Sequence, residues 1–421
     1  MRKKLLAVLM TGAMVASFAG SATVVSAKSD DDNKLTVWAW DQNFNIKSMQ
    51  IAADQYAKDH EGFSVDIVET SSDDCQTKLT TAANAGDYST LPDIVLMQDN
   101  SYQKYLKSYP DAFTDLKDIN INWDDFGKLK QSYSMVDDTH YGVPFDNGAV
   151  IACYRTDILD EAGASVPTTW AEVQETAQKI KDKFGDDVYP WGIDMTTDEG
   201  QAAFSYYTWN NGGGFVDENG DWALNSDKNV EALNFALGLV NDGYTNSDPA
   251  NETRYDLQDM FGAGKVAMMI GPNNIPTYLS DGGYDINYDV TTIPANEGCE
   301  SVAMGVCDRL EVFKDDSAED QEARTAAITK FFDFFYDDTR YADYMVYEGF
   351  LPTTQTAADL LAKEDETYSS WIDILQSCNF YPATKTEWAD VKQGVIEVEQ
   401  NALLGDDVQT LLDDLQADIA G

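Results

Sequence analysis

Residues 141–173 read YGVPFDNGAVIACYRTDILDEAGASVPTTWAEV, and this passage limits the fold more than any other. A turn-rich hinge of Pro144, Asp146, Asn147 and Gly148 is followed by a fresh apolar run, Ala149 to Tyr154, a short helix to Gly163, and a Thr169/Glu172 capping box opening another helix. That order is a chain leaving one globular lobe and starting a second. At 421 residues, with 43% hydrophobic and 12% aromatic content, the chain is long and apolar enough for such a pair of packed lobes.

Before the passage, Leu35 to Trp40 is a β-rich run, and Ile46, Met49, Ala53 and Tyr56 return at helical spacing. Phe63, Val65 and Ile67 alternate as a strand, Leu79 to Ala83 mark a helix ended by Gly86, and Asp93 to Met97 forms a buried-strand run. Strand, helix, strand, helix, strand predicts a parallel sheet with right-handed crossovers. Ligands of such sheets gather at the strands' carboxyl ends. Those ends carry Trp40 and Asp41 in the first case, Gln98 and Asp99 in the third.

In the second lobe, Asn219-Gly220 between apolar residues predicts a hairpin turn, and Ser226 a helix cap. The surrounding DENGD resembles a calcium loop superficially but lacks the glutamate at its twelfth position, so it is read as the turn and no metal is expected. Met260 to Ile270 reads as helix end then strand, with Asn273 just past its carboxyl end. The stretches from Ala326 to Tyr347 and from Trp388 to Ala420 read as helical.

Arg2, Lys3 and Lys4, an apolar stretch from Leu5 to Gly20, and small residues ending in Ala27 form a secretory leader pattern over 1–27, with a linker over 28–33. No later run is long and apolar enough to span a bilayer. The formal charge of −46 becomes three units more negative once the leader's basic residues are gone. Such a field repels nucleic acid and anionic membranes. Five cysteines, at 75, 153, 299, 307 and 378, show no metal-ligand spacing and no disulfide framework; Cys299 and Cys307 could close a short loop. The two histidines, His60 and His140, lie outside any HExxH, and no GxSxG is present.

Five segments in order, KLTVWAWD, LPDIVLMQD, YGVPFDNGAVIACYRTDIL with TTWAEV, GGGFVDENGDWALNS and FGAGKVAMMIGPNN, with a sixth, EGFLPTT, resemble the extracellular solute-binding proteins of ABC importers, in the carbohydrate branch that includes maltose-binding protein. The resemblance covers nearly all of the mature chain. It implies an α/β, two-lobed, type II periplasmic-binding-protein-like fold, each lobe a mostly parallel sheet flanked by helices. It places residues 34–145 and 294–350 in an N-terminal lobe and 146–293 and 351–421 in a C-terminal lobe, with hinge crossings near 145–148, 289–294 and 349–353. The implied partners are a sugar or oligosaccharide, trapped by hinge closure, and the permease subunits of an ABC transporter, with the chain itself a monomer that needs no cofactor. Ser21 stands where many Gram-positive relatives carry a lipid-modified cysteine. The expected location is extracytoplasmic, at the cell surface or in the periplasm, without that acyl anchor.

A sugar offers apolar C–H faces and hydroxyl edges, so its site needs flat aromatics and planar amides or carboxylates. By position, Trp40, Asp41, Gln98 and Asp99 match the cleft edge of relatives, Tyr206 a stacking tyrosine with Trp209 beside it, and Trp388 a stacking tryptophan. Asn273 replaces another tryptophan, which implies a sugar other than maltose or fewer stacked rings. Asp146, at the first crossing, can reach the cleft or brace the hinge. Trp38, read as out of phase with Trp40, is assigned to the core. Two other functions fit some of these features: a binder of polyamines or other small cations, since acidic aromatic boxes serve them too, and a secreted carbohydrate-active enzyme, since paired carboxylates beside aromatics also describe a glycosidase.

Overall fold

The computed structural model describes residues 31, 33–42, 45–98, 102–127, 135–136, 139–197, 199–314, 321–364, 375, 378–383 and 385–420. The expected leader, most of the 28–33 linker and Asp99 lie outside the described residues.

Strands β1 (Lys34–Ala39), β2 (Ser64–Glu69) and β3 (Ile94–Met97) pair in parallel, with Leu35 opposite Val65 and Val37 opposite Ile94. Helices α1 (Asn45–Asp59) and α2 (Ser72–Ala85) connect them on opposite faces. Because side chains alternate along a strand, Leu35, Val37, Ile94 and Leu96 pack with Met49, Ala52 and Tyr56 of α1. Trp38, Val95 and Met97 pack with Cys75, Leu79 and Ala82 of α2. A strand buried on both faces must be apolar throughout, and IVLM is. Trp38 is indeed core, but for a different reason than phase: residues two apart share a face. What separates Trp40 from it is the end of β1 at Ala39, after which Trp40 turns to the other cluster.

The chain continues through α3 (Tyr102–Ser108), the small hairpin β4 (Met135–Val136) and β5 (Thr139–His140), and β6 (Gly142–Pro144). A second sheet begins at β7 (Gly148–Arg155), followed by α4 (Thr156–Ala162), α5 (Trp170–Phe184), β8 (Tyr189–Gly192), α6 (Gly200–Trp209), α7 (Asp227–Asn241), α8 (Arg254–Gly262), β9 (Val266–Pro272), α9 (Ile275–Asp281), β10 (Tyr288–Thr291) and β11 (Met304–Val306). Its order is β10-β7-β9-β8, with β11 also on β7. The predicted capping box forms at Thr169 and Glu172, and Ser226 caps α7. In the DENGD turn the Asp217 carboxylate accepts the Asn219 and Asp221 N–H groups.

Strand β12 (Arg309–Val312) returns to the first sheet, giving the order β2-β1-β3-β12-β6. Helices α10 (Gln321–Phe335), α11 (Asp338–Glu348) and α12 (Gln355–Glu364) then cover that sheet, and α13 (Trp388–Leu403) and α14 (Val408–Ala420) cover the second. The expected single helical stretches are thus each two helices.

Two continuous ribbons run through both sheets in opposite directions: β6 into β7, and β11 into β12. They make both sheets mixed. The parallel arrangement expected for each lobe holds among β1, β2 and β3 and for β8 on β9, whereas β7 runs antiparallel to β9, β10 and β11. The physical reason is the crossing itself, since a strand that enters a lobe must pair with one that leaves it. The ribbons also move the second crossing from the expected 289–294 to 307–308, because Ala295 still bridges Thr169 and β11 still pairs with β7. Past the third crossing, Ala357 and Leu361 of α12 remain in the first lobe's core, and the chain rejoins the second sheet where Asn379 bridges Met304.

At the hinge, Phe145 N–H donates to Asp308 O at 2.8 Å, and Asn147 and Leu351 exchange backbone bonds of 2.9 and 3.0 Å. The Tyr341 hydroxyl donates to Phe145 O and accepts the Thr353 N–H. Three strands of chain are therefore tied side by side where they pass between the lobes. None of the five cysteines forms a disulfide. Cys299 and Cys307 do not pair, because strand β11 extends between them.

Candidate functional site

Where β1 ends, the Asn45 side-chain oxygen accepts the N–H groups of Trp40 and Asp41 at 3.2 and 3.0 Å, and fixes the turn that presents both residues. Trp40 is half-buried and Asp41 8% exposed. Asp41 Oδ2 accepts the hydroxyl of Tyr255, in the first turn of α8 on the other lobe, at 2.6 Å. A second bridge joins the lobes nearby, from Lys47 Nζ on α1 to Asp281 on α9, also at 2.6 Å. The lobes face each other here.

On the second lobe, Arg254 stands beside Tyr255 with its guanidinium 4.3 Å from that ring's centre. Its Nε and Nη2 grip Glu199 bidentately at 2.8 and 3.0 Å, and its Nη1 donates to the buried Gln258 at 2.8 Å. Asp194 accepts the Arg254 backbone N–H and, with its other oxygen, that of Thr196. Arg254, Glu199 and Asp194 line a small cavity, about 20 Å³, together with Tyr206. Burial pushes the Glu199 carboxyl up, but the Arg254 charge and hydrogen bonds, with the Lys392 charge, outweigh it and hold the group below its usual range. Burial raises Asp194 despite the N–H groups it accepts, and raises the Tyr206 and Tyr255 phenols, the latter helped by Asp41.

The residues expected to bind ligand divide. Trp40 and Asp41 stand where the first lobe meets Tyr255 of the second, and Tyr206 lines the second lobe's small cavity. Gln98, at the end of β3, is half-buried. Asp146 is wholly buried and accepts the Asp308 N–H at 2.8 Å, so it braces the hinge and does not reach a cleft. Asn273 spends both polar atoms on structure, accepting Ala149 N–H at 3.0 Å and donating to Gly349 O at 2.6 Å, which stitches β9 to the end of α11 across the lobes. Trp388 is 1% exposed and meets Phe215 edge-on, at 5.0 Å between ring centres and 88°, while Tyr381 covers it at 5.1 Å. Trp209 packs against the same Phe215 and Tyr381. Both tryptophans are core, because rings covered by other aromatics have no face left to stack on a solute.

Sequence reasoning missed Asp194, Glu199, Arg254 and Tyr255. Two signals were there: the polar stretch after β8 is another strand carboxyl end, and Thr253 with Asp256 is a capping box that sets Arg254 and Tyr255 in a helix's first turn.

Two α/β lobes, each with its own sheet and core, joined by three tied crossings and meeting across a polar and aromatic wall, define the two-lobed type II periplasmic-binding-protein fold. Residues 43–339 match the family model of the bacterial extracellular solute-binding proteins, and the chain belongs to that family. It is 38% identical over 156 residues to the lactose-binding protein of Rhizobium radiobacter, a match covering 36% of this chain and 37% of that one, under two thirds of the relative's length. Among solved structures, the maltose-bound MalE3 of T. maritima superposes with a TM-score of 0.80 at 18% identity over 92% of this chain and 99% of that one. The substrate-binding protein Lmo0181 of Listeria monocytogenes, in complex with cycloalternan, gives 0.74 at 19% over 94% and 98%. At such identities these two speak for the fold alone. Among the described residues no helix is long and apolar enough to cross a membrane.

Proposed function

We propose that this protein is the extracytoplasmic substrate-binding component of an ABC transporter, which captures a sugar or oligosaccharide between its lobes and delivers it, chemically unchanged, to membrane permease subunits. The observation that carries the reading is the contact of Asp41 with Tyr255: a strand-end carboxylate of one lobe meets a helix of the other beside Trp40, Tyr206 and the Arg254–Glu199 pair. Stacking faces and planar hydrogen-bonding groups are what a sugar requires, and walls on separate lobes can swing together around it. The lactose, maltose and cycloalternan bound by similar proteins support the same ligand class. The chain acts as a monomer, with Trp40, Asp41 and Tyr206 in contact with the sugar.

A thermal-shift screen tests this with maltose, lactose, maltotriose, other oligosaccharides and spermidine. A sugar at about a hundred times its dissociation constant adds roughly 2.7 kcal/mol of stability. Stabilisation by spermidine but by no sugar would replace the reading with a polyamine binder, and appearance of shorter products from an oligosaccharide would replace it with an enzyme.

A further inference from the structure

We infer that Arg254 and Glu199, with Tyr206, form a charge-neutral subsite on the second lobe that bridges neighbouring hydroxyls of an uncharged sugar and turns away charged solutes. The inference rests on the sugar reading above and narrows it. A guanidinium has five N–H donors. Arg254 commits three to Glu199 and Gln258 and a fourth bears on the Tyr255 hydroxyl, which leaves one to give. Glu199 is one third exposed and Arg254 one fifth, so the pair keeps surface uncovered while its geometry is fixed from behind. Each carboxylate oxygen accepts one bond from Arg254 and has room for another. The two groups thus present donor and acceptor side by side, as two adjacent hydroxyls require.

Charge decides the ligand class. An arginine left alone in a cavity draws phosphates and carboxylates. Here the bidentate carboxylate cancels it, and the Asp194 carboxylate on the same cavity wall is balanced by the Lys392 charge that acts on Glu199, so a solute of either sign finds no uncompensated partner. A cation gains little, because Glu199 is already paired and Asp41 is engaged by Tyr255. A neutral polyol needs no such partner. The backbone N–H groups of Thr196 and Arg254 hold Asp194, and α8 holds Arg254, so the subsite is organised before a ligand arrives.

The test is calorimetric titration of the wild type, E199Q, R254K and Y206F with the screened sugar that gives the largest shift, and with glucose 6-phosphate and spermidine. Circular dichroism and the ligand-free melting temperature establish that each variant is folded. The wild type is expected to bind the sugar and neither charged probe. E199Q and R254K should each weaken the sugar by about tenfold or more, and E199Q, its arginine uncancelled, should acquire affinity for glucose 6-phosphate. Y206F removes one hydroxyl only and, with E199Q, carries the test should R254K not fold. Sugar binding by both charge variants within about twofold of wild type, or equal wild-type affinity for glucose 6-phosphate, overturns the subsite while the sugar reading stands. A wild type that binds no sugar overturns both.

Discussion

The Tyr255 hydroxyl donates to Asp41 Oδ2 at 2.6 Å, and this bond joins the first turn of α8 in one lobe to the carboxyl end of β1 in the other. It exists only while the lobes are together. A hydrogen bond to a carboxylate contributes about 1.5–3 kcal/mol, and its whole value falls on the closed arrangement. Y255F should therefore shift ligand-free protein toward open forms, seen as a larger radius of gyration in small-angle scattering. An unchanged scattering curve would show that other contacts, Lys47 with Asp281 among them, hold the lobes.

Trp40 is held by the Asn45 side chain at the mouth of the first lobe and keeps part of its surface uncovered. Trp40→Ala should weaken sugar binding by more than about 1 kcal/mol, with the melting temperature of the free protein little changed. Full affinity in that variant would remove Trp40 from the site.

Glu348, the last residue of α11, is 1% exposed and accepts the Ser48 hydroxyl. Burial first, and then the carboxylates of Asp146, Asp308 and Asp41, push its carboxyl well above its ordinary value of 4.5. The folded state therefore holds this proton more tightly than the unfolded one. The stability it contributes is complete below 4.5 and is lost as pH rises through the folded value. E348Q, neutral at every pH, should flatten the stability loss on the alkaline side, measured by urea unfolding across a pH series. A slope identical to wild type would show that Glu348 is already ionised in the fold.

Gly349 ends α11 at φ +86°, and a Cβ there would come within 2.9 Å of Asn274 Cα and of Thr277 Oγ1 on the other lobe. Gly349→Ala combines a left-handed backbone, costing about 1–2 kcal/mol, with a clash between backbones that cannot rotate away. The melting temperature should fall, and scattering should report a wider mean separation of the lobes. Gly163→Ala, also left-handed at φ +63° but open to space, should show the first effect without the second.

Patterns of short range were legible in the chain. The alternation of Leu35, Val37, Ile94 and Leu96, the Thr169/Glu172 capping box and the Asn219-Gly220 turn are each set by neighbours a few residues away, and each appears as expected. The passage from Pro144 to Gly148 also marked the first crossing, because a break between two apolar runs is local. The second crossing was misplaced, since nothing near residues 289–294 reveals that β11 must still pair with β7, more than a hundred residues back.

The sequence by itself determined two α/β lobes and the point where the first yields to the second. Only the tertiary structure decided that Trp388 and Trp209 are enclosed around Phe215, that Asp146 and Asn273 are spent on the hinge, and that Arg254 pairs with Glu199 beside Tyr255. Spacing along a chain governs which residues share a strand or helix face. Whether an aromatic ring or a carboxylate is left uncovered depends on what arrives from far along the chain, and only packing settles that.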